Sequence, residues 1–162
     1  MNCKNCGGQM TLISNRDYFF CEYCGTFHFP AESSEGVRIL EGKPDGVECP
    51  VCKQPLLRVT IDQYPGWQCE KCRGILTAQS WFGEIVKYRR AQASGPWERP
   101  EPLRREELDR RVRCPNCGRV METHPYYGPG NVVIDTCGDC QIIWLDHGEL
   151  REVINAPGRD WT

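Results

Sequence analysis

Six C-x-x-C pairs constrain this chain more than any other feature. They are Cys3/Cys6, Cys21/Cys24, Cys49/Cys52, Cys69/Cys72, Cys114/Cys117 and Cys137/Cys140, and no cysteine is left over among the 162 residues. The gaps between successive pairs are 14, 24, 16, 41 and 19 residues. Short gaps alternate with long ones, so the pairs group into three units of four cysteines. Four thiolates suit a zinc ion, which prefers a tetrahedron of sulfur at about 2.3 Å. Two residues between cysteines let one tight turn aim both sulfurs at the same ion. Glycine follows the second cysteine at Cys6-Gly7, Cys24-Gly25 and Cys117-Gly118, where the turn favours positive φ. Proline follows Cys49 and Cys114 and presets φ there.

Composition shows why such staples are needed. Apolar residues make up 40% of the chain, and the twelve cysteines are counted among them. Gly 16 and Pro 12 add little to a core. A conventional single core is therefore not expected to offset the ordering entropy. Mean hydropathy is −0.56 and no apolar run approaches a membrane span. The chain starts Met1-Asn2-Cys3-Lys4-Asn5-Cys6, without a basic segment leading into an apolar one. The reading is a cytoplasmic chain, where paired cysteines bind metal rather than oxidise. Four sulfurs per ion leave no open position for water, which is the pattern of structural rather than catalytic zinc. Three zinc ions are expected, with iron as the other metal an S₄ site accepts. Cross-braced pairing between non-adjacent units is disfavoured by the long connections, and redox C-x-x-C chemistry calls for a single pair at a helix N-terminus.

The expected fold is small, metal-stabilised and mainly β, with short helices. Unit one covers 1–30, with a hairpin from Met10–Ile13 and Tyr18–Phe20 around a polar Asn15-Arg16-Asp17 turn, and a strand at Thr26–Phe29. His28 reads as a strand residue, since four thiolates already complete the site. Residues 31–48 form a polar connection containing a short strand at 37–40. Unit two covers 49–90, with a strand at Leu56–Ile61, a turn over Asp62–Gly66 and a helix to about Arg90. That helix is expected to be capped by Ser80, with Trp81, Ile85 and Tyr88 on its apolar face. Residues 91–113 form a Pro-rich connection carrying Trp97, then a short helix from Pro102 whose apolar side is Leu103, Leu108 and Val112. Unit three covers 114–156. It ends in a helix with an Asp146/Glu149 capping box and an apolar face of Leu150, Val153 and Ile154, and 157–162 is a tail with Pro157 and Gly158 at the helix stop.

Unit three carries three further motifs. They are Cys114-Pro115-Asn116-Cys117-Gly118, Asp135-Thr136-Cys137-Gly138-Asp139-Cys140 and Ile143-Trp144-Leu145-Asp146-His147-Gly148-Glu149-Leu150. Together they resemble the zinc ribbon of the transcription factor IIB type, with Ile142 standing where that family usually has Gly. Unit two is similar to a degenerate copy. It keeps Cys49-Pro50-Val51-Cys52, Cys72-Arg73-Gly74-Ile75-Leu76 and Gly83-Glu84-Ile85, has a three-residue insertion before Gly83, and lacks the Trp-Leu-Asp. Unit one shares only the knuckles. The resemblance implies three tandem Cys₄ zinc ribbons with rubredoxin-like knuckles, and it implies little about activity.

Net charge is −2. Residues 87–113 are the basic part, with Lys87, Arg89, Arg90, Arg99, Arg104, Arg105, Arg110, Arg111 and Arg113, while 114–162 is acidic. Three functions follow as expectations. The first is a non-enzymatic interaction module whose ribbons, on flexible connections, touch a protein partner, with RNA polymerase or another nucleoprotein assembly as the family-flavoured guess. The second is direct nucleic-acid binding through 87–113 with Trp97, Tyr126 and Tyr127. The third, a redox or zinc-handling protein, lacks an open metal site, and His28, His124 and His147 have no nucleophile beside them in sequence.

Overall fold

Between the knuckles of each unit, β-branched and aromatic residues pair as antiparallel strands. The structure, a computed structural model, describes residues 1–13, 16, 18–30, 35–40, 44, 46–93, 102–103, 105–126 and 131–156. Trp97, Arg99, Arg104, Tyr127 and the 157–162 tail lie outside the described residues. In unit one, β1 (Thr11–Ile13), β2 (Tyr18–Phe20) and β3 (Phe27–His28) make a three-stranded sheet in that order. His28 sits in β3 opposite Phe19.

Units two and three do not stay apart. β4 (Val37–Ile39), β5 (Leu57–Ile61), β6 (Tyr64–Gln68) and β7 (Ile75–Ala78) join β8 (Glu122–Pro125), β9 (Val133–Cys137) and β10 (Ile142–Leu145) in one seven-stranded sheet. Its order is β4-β5-β6-β7-β10-β9-β8. The seam is the antiparallel β7–β10 pair, in which Leu76 lies opposite Trp144. Aligning Cys72 with Cys140 in sequence also aligns Leu76 with Trp144. Each strand therefore meets its own counterpart, the mark of a twofold relation between the two ribbons. The helices that follow, α1 (Gln79–Gln92) and α3 (Glu149–Asn155), pack against each other on one face of this sheet.

That face holds a core of Val59, Ile61 and Ile75 from one half, Ile134, Ile143 and Leu145 from the other, and the buried sides of both helices. The opposite face holds a second core in which Leu56, Leu76, Met121 and the fully buried Trp144 pack among Cys49, Cys69, Cys72, Cys114 and Cys137. Sharing a sheet gives each small ribbon a two-sided core that it lacks alone.

Several local expectations shift. The turn of unit two is only Asp62–Gln63, with Asp62 at φ 57°, and Tyr64-Pro65-Gly66 belongs to β6. The Pro65 carbonyl accepts the Thr77 hydroxyl at 3.0 Å, so the residue without an N–H still joins the network. Helix α1 starts directly from β7. Ala78 is its N-cap without a side-chain hydrogen bond, and Ser80 lies inside the first turn. The Gln79 backbone N–H donates to the Gln141 carbonyl at 2.9 Å, which sets the phase of the helix. The buried residues are then Phe82, Ile85, Val86 and Arg90, while Tyr88 is 55% exposed. Arg90 donates through Nη1 to the carbonyls of Val153, Ile154 and Ala156 at 2.8–3.0 Å and closes the C-terminus of α3. The linker helix α2 spans only Arg105–Leu108, three residues beyond Pro102, with none of its residues buried. Val112 alone of the expected apolar residues is buried, in the second core. At α3, Glu149 completes half of the capping box, its Oε2 accepting the Asp146 N–H at 2.8 Å. The cap position is Gly148 at φ 91°.

Asn15 and Asp17 of the expected polar turn lie outside the described residues, and Arg16 between them docks unit one on this seven-stranded body. Arg16 is 7% exposed. Its Nη2 lies 3.0 Å from Glu149 Oε1 and 3.2 Å from Glu107 Oε1, and its Nε lies 3.5 Å from Glu152. A Cβ at Gly148 would stand 3.0 Å from the Arg16 side chain, so a glycine there serves both the positive φ and the close approach. Phe29 and Tyr18 meet the His147 ring at 4.9 and 5.9 Å. Burial pushes the Glu149 carboxyl well above its usual range, and Arg16 opposes that push. Arg16→Ala leaves Glu149 buried without its cation and should cost about 3 kcal/mol. Thermal melting and trypsin cleavage within residues 1–30 check this. An unchanged melting temperature with unchanged cleavage would sink it.

Glu35 is buried in the same region, its Oε1 accepting the Gly148 N–H at 2.8 Å with His147 Nδ1 3.8 Å from its other oxygen. Burial raises its pKa from 4.5 to about 7. The folded chain then holds a proton that the unfolded chain releases. Stability from this group is present below 4.5 and declines as pH rises to about 7. Zinc loss in acid acts the opposite way but is common to any variant. Glu35→Gln should remove the decline, so the difference in melting temperature between variant and wild type should grow from about pH 5.5 to 8. A constant difference over that range would refute the assignment.

Candidate metal centres

Five of the six knuckles share one hydrogen-bonded backbone design. At Cys3, Cys21, Cys49, Cys69 and Cys114 the carbonyl accepts the N–H four residues on, at 2.8–2.9 Å, and the N–H donates to the carbonyl five residues on, at 2.7–3.0 Å. The residue after each second cysteine has positive φ: Gly7, Gly25 and Gly118, but also Lys53 at 61°, Arg73 at 56° and Gln141 at 54°. The glycine rule found half of these positions. At the other three, side chains accept a strain of about 1–2 kcal/mol that the knuckle imposes.

These knuckles bring all twelve cysteines into three groups: Cys3, Cys6, Cys21 and Cys24; Cys49, Cys52, Cys69 and Cys72; Cys114, Cys117, Cys137 and Cys140. Within each group the sulfurs lie within 4.8 Å of one another. The grouping is sequential, not cross-braced. Individual contacts are Cys3–Cys24 3.6 Å, Cys6–Cys21 3.6 Å, Cys49–Cys72 3.8 Å and Cys117–Cys137 3.7 Å. A tetrahedron with zinc–sulfur bonds of about 2.3 Å has edges of about 3.8 Å. A disulfide would bring two sulfurs to about 2 Å, and the cysteines are free thiols. Four thiolates this close repel one another unless protons or a cation intervene. In group one the Thr26 hydroxyl holds Cys24 at about 6, and in group two the neighbouring Cys69 pushes Cys49 up to about 12. A divalent cation relieves the whole set at once.

Residues 113–156 match the family described as a transcription factor zinc-finger, of the IIB zinc-ribbon type. That segment is unit three, as its knuckles and its Trp144-to-Leu150 motif implied. No curated protein and no solved structure matches the chain. Three Cys₄ groups free of disulfides, together with the zinc-ribbon match, support three zinc ions.

The acidic residues of the IIB-type motif do structural work. Asp146 accepts Trp144 Nε1 at 3.1 Å and pairs with Arg110. Asp135 accepts the Thr123 hydroxyl at 2.6 Å and lies 3.9 Å from Arg110 Nε. Ile142, the departure from the family pattern, aligns with Gly74 of unit two, just as Trp144 aligns with Leu76. A Cβ on Gly74 would stand 2.1 Å from the Trp144 ring. Glycine opposes the large Trp, and Ile142 shares its strand with Trp144 in the half where the counterpart is the smaller Leu76.

The basic stretch is largely tied into the fold. Arg89 pairs with Asp62 through two bonds of 3.0 Å and donates to the Glu35 carbonyl at 2.6 Å. Arg90 caps α3, and Arg110 holds Asp146 and Asp135. Arg111 and Arg113 turn back to backbone carbonyls. Sequence reasoning missed Arg16 and Glu35, because a single charge in a turn or connection has no periodicity to read. Asn116 and Thr26 were also missed. Asn116 Nδ2 donates to Cys140 Sγ at 3.2 Å and Thr26 Oγ1 lies 3.1 Å from Cys24 Sγ. Their signal is their place inside or just after a knuckle.

Proposed function

We propose that each of the three cysteine groups closes on one zinc ion, with all twelve cysteines as ligands, and that the chain is a non-enzymatic zinc-ribbon module that binds a protein partner. The observation that carries this reading is the completeness of the donor sets. Four thiols per group use every position of a tetrahedral ion, so the metal serves the fold and the function falls to the surface. The IIB-type match of 113–156 favours an RNA polymerase or another nucleoprotein assembly as the setting. A protein surface suits the acidic 114–162 region better than a phosphate backbone does. The internal pairing of Arg89, Arg90 and Arg110 lowers the case for direct nucleic-acid binding through 87–113.

Affinity purification of the tagged full chain from its native host, with and without nuclease, tests the reading. A protein partner should co-purify in both. Fluorescence anisotropy with DNA and RNA at about 50 mM salt should show no binding. A partner lost on nuclease treatment, or a salt-dependent nucleic-acid affinity abolished by neutralising the exposed Lys87 and Arg105, would overturn it in favour of nucleic-acid binding.

A further inference from the structure

The three cysteine groups differ in what touches their fourth cysteine, and two sequence positions account for the difference. One is the residue before the second cysteine: Asn5, Val51 or Asn116. The other lies two residues past the fourth cysteine: Thr26, Gly74 or Ile142. In group three, the Asn116 amide donates directly to Cys140 at 3.2 Å. In group one, Asn5 Nδ2 donates to Thr26 Oγ1 at 3.4 Å, and that hydroxyl lies 3.1 Å from Cys24. A thiolate is an acceptor only, so the hydroxyl points its proton at the sulfur and the amide presents its nitrogen. In group two, Val51 and Gly74 have no polar side chain to offer.

Group two has cover instead. Cys72 is 5% exposed, while Cys24 and Cys140 are only half-buried. The cover comes from unit one. Phe27 packs against the core that contains Cys72. Phe20 and Phe27 also line, with Val51, Cys72 and Arg16, a cavity of about 180 Å³ between unit one and the rest of the chain. Beside Cys72, the Arg73 guanidinium sits 4.3 Å over the Phe29 ring.

We propose that Asn116 and the Asn5–Thr26 pair are positioning residues that quieten the fourth thiolate of zinc sites three and one, and that docked unit one does the same for site two. A zinc-bound thiolate keeps lone pairs that attack electrophiles and accept protons. A hydrogen bond draws off that electron density and holds the sulfur on the ion, while burial excludes the attacking reagent. The inference rests on the zinc ligation proposed above. It makes the protection of Cys72 conditional on unit one staying docked, while Cys24 and Cys140 are protected by side chains of their own unit.

The test is alkylation of the zinc-loaded full chain by N-ethylmaleimide, with each cysteine followed by peptide mass spectrometry and zinc counted beforehand. Asn116→Ala should speed modification of Cys140 about tenfold and leave Cys24 and Cys72 unchanged. Thr26→Val should do the same at Cys24, whereas Thr26→Ser, which keeps the hydroxyl, should not. Arg16→Ala, which loosens unit one, should expose Cys72 selectively. Adding Val51→Asn to that variant should slow Cys72 again. Rates within about twofold of wild type at the named cysteine, or acceleration of all twelve together, would overturn the inference while leaving ligation intact. A wild-type chain that carries no zinc would overturn the ligation itself.

Discussion

Stripping the metal with a strong chelator at neutral pH should unfold the chain as a whole, not one ribbon at a time. Structural zinc supplies on the order of 10–16 kcal/mol to small ribbon-like domains. Here the cysteines of groups two and three form the walls of one core with Leu76 and Trp144 between them. Losing either ion opens that core and with it the β7–β10 seam. Unit one should follow, because Arg16 is anchored on α2 and α3. Circular dichroism and protease resistance should collapse together as the zinc leaves, and zinc with reductant should restore both. If the metal is removed while the spectrum and the cleavage pattern stay the same, the cysteine groups are not what holds the fold.

Gly74→Ile should be the most damaging single substitution in the seam. The new side chain starts 2.1 Å from a Trp144 ring that is 0% exposed and has no room to withdraw. The overpacking cost should reach about 5 kcal/mol, beyond the usual range for cores. Trp144→Leu alone leaves a cavity and should cost about 3 kcal/mol. The double variant repeats the Ile142/Leu76 combination in the other half of the seam. It should melt well above Gly74→Ile, with a coupling of about 2 kcal/mol between the two sites. A double variant no more stable than Gly74→Ile would mean that the twofold relation has no energetic content.

The metal groups were legible because their signal is local. Cys49 and Cys52, or Cys114 and Cys117, are close in sequence, and a gap of 14–19 residues closes into a hairpin at modest entropy. The IIB-type motif could be read for the same reason, since Trp144 to Leu150 form one strand, one turn and one helix start. The apolar face of α1 was not legible. Periodicity offered Trp81, Ile85 and Tyr88, and the junction of Gln79 with Gln141 in the other ribbon rotated the helix onto Phe82, Ile85 and Val86. The basic 87–113 stretch read as one charged surface because a sequence shows charges without their partners. Asp62, Asp135 and Asp146, which neutralise Arg89 and Arg110, stand 25 or more residues away.

The sequence by itself determined that the twelve cysteines fall into three sets of four with the spacing of zinc sites, that the strands between them are short, and that the last unit carries the IIB-type ribbon motif. These follow from residue type and spacing within about forty residues, where chain connectivity limits the choices. Only the tertiary structure decided that units two and three are halves of one sheet, that Gly74 makes way for Trp144, and that Arg16 of unit one is buried against Glu107, Glu149 and Glu152. Each of those depends on surfaces that meet across many tens of residues. Complementary shape and the cost of burying an unpaired charge select among such arrangements, and neither leaves a periodic mark on the chain.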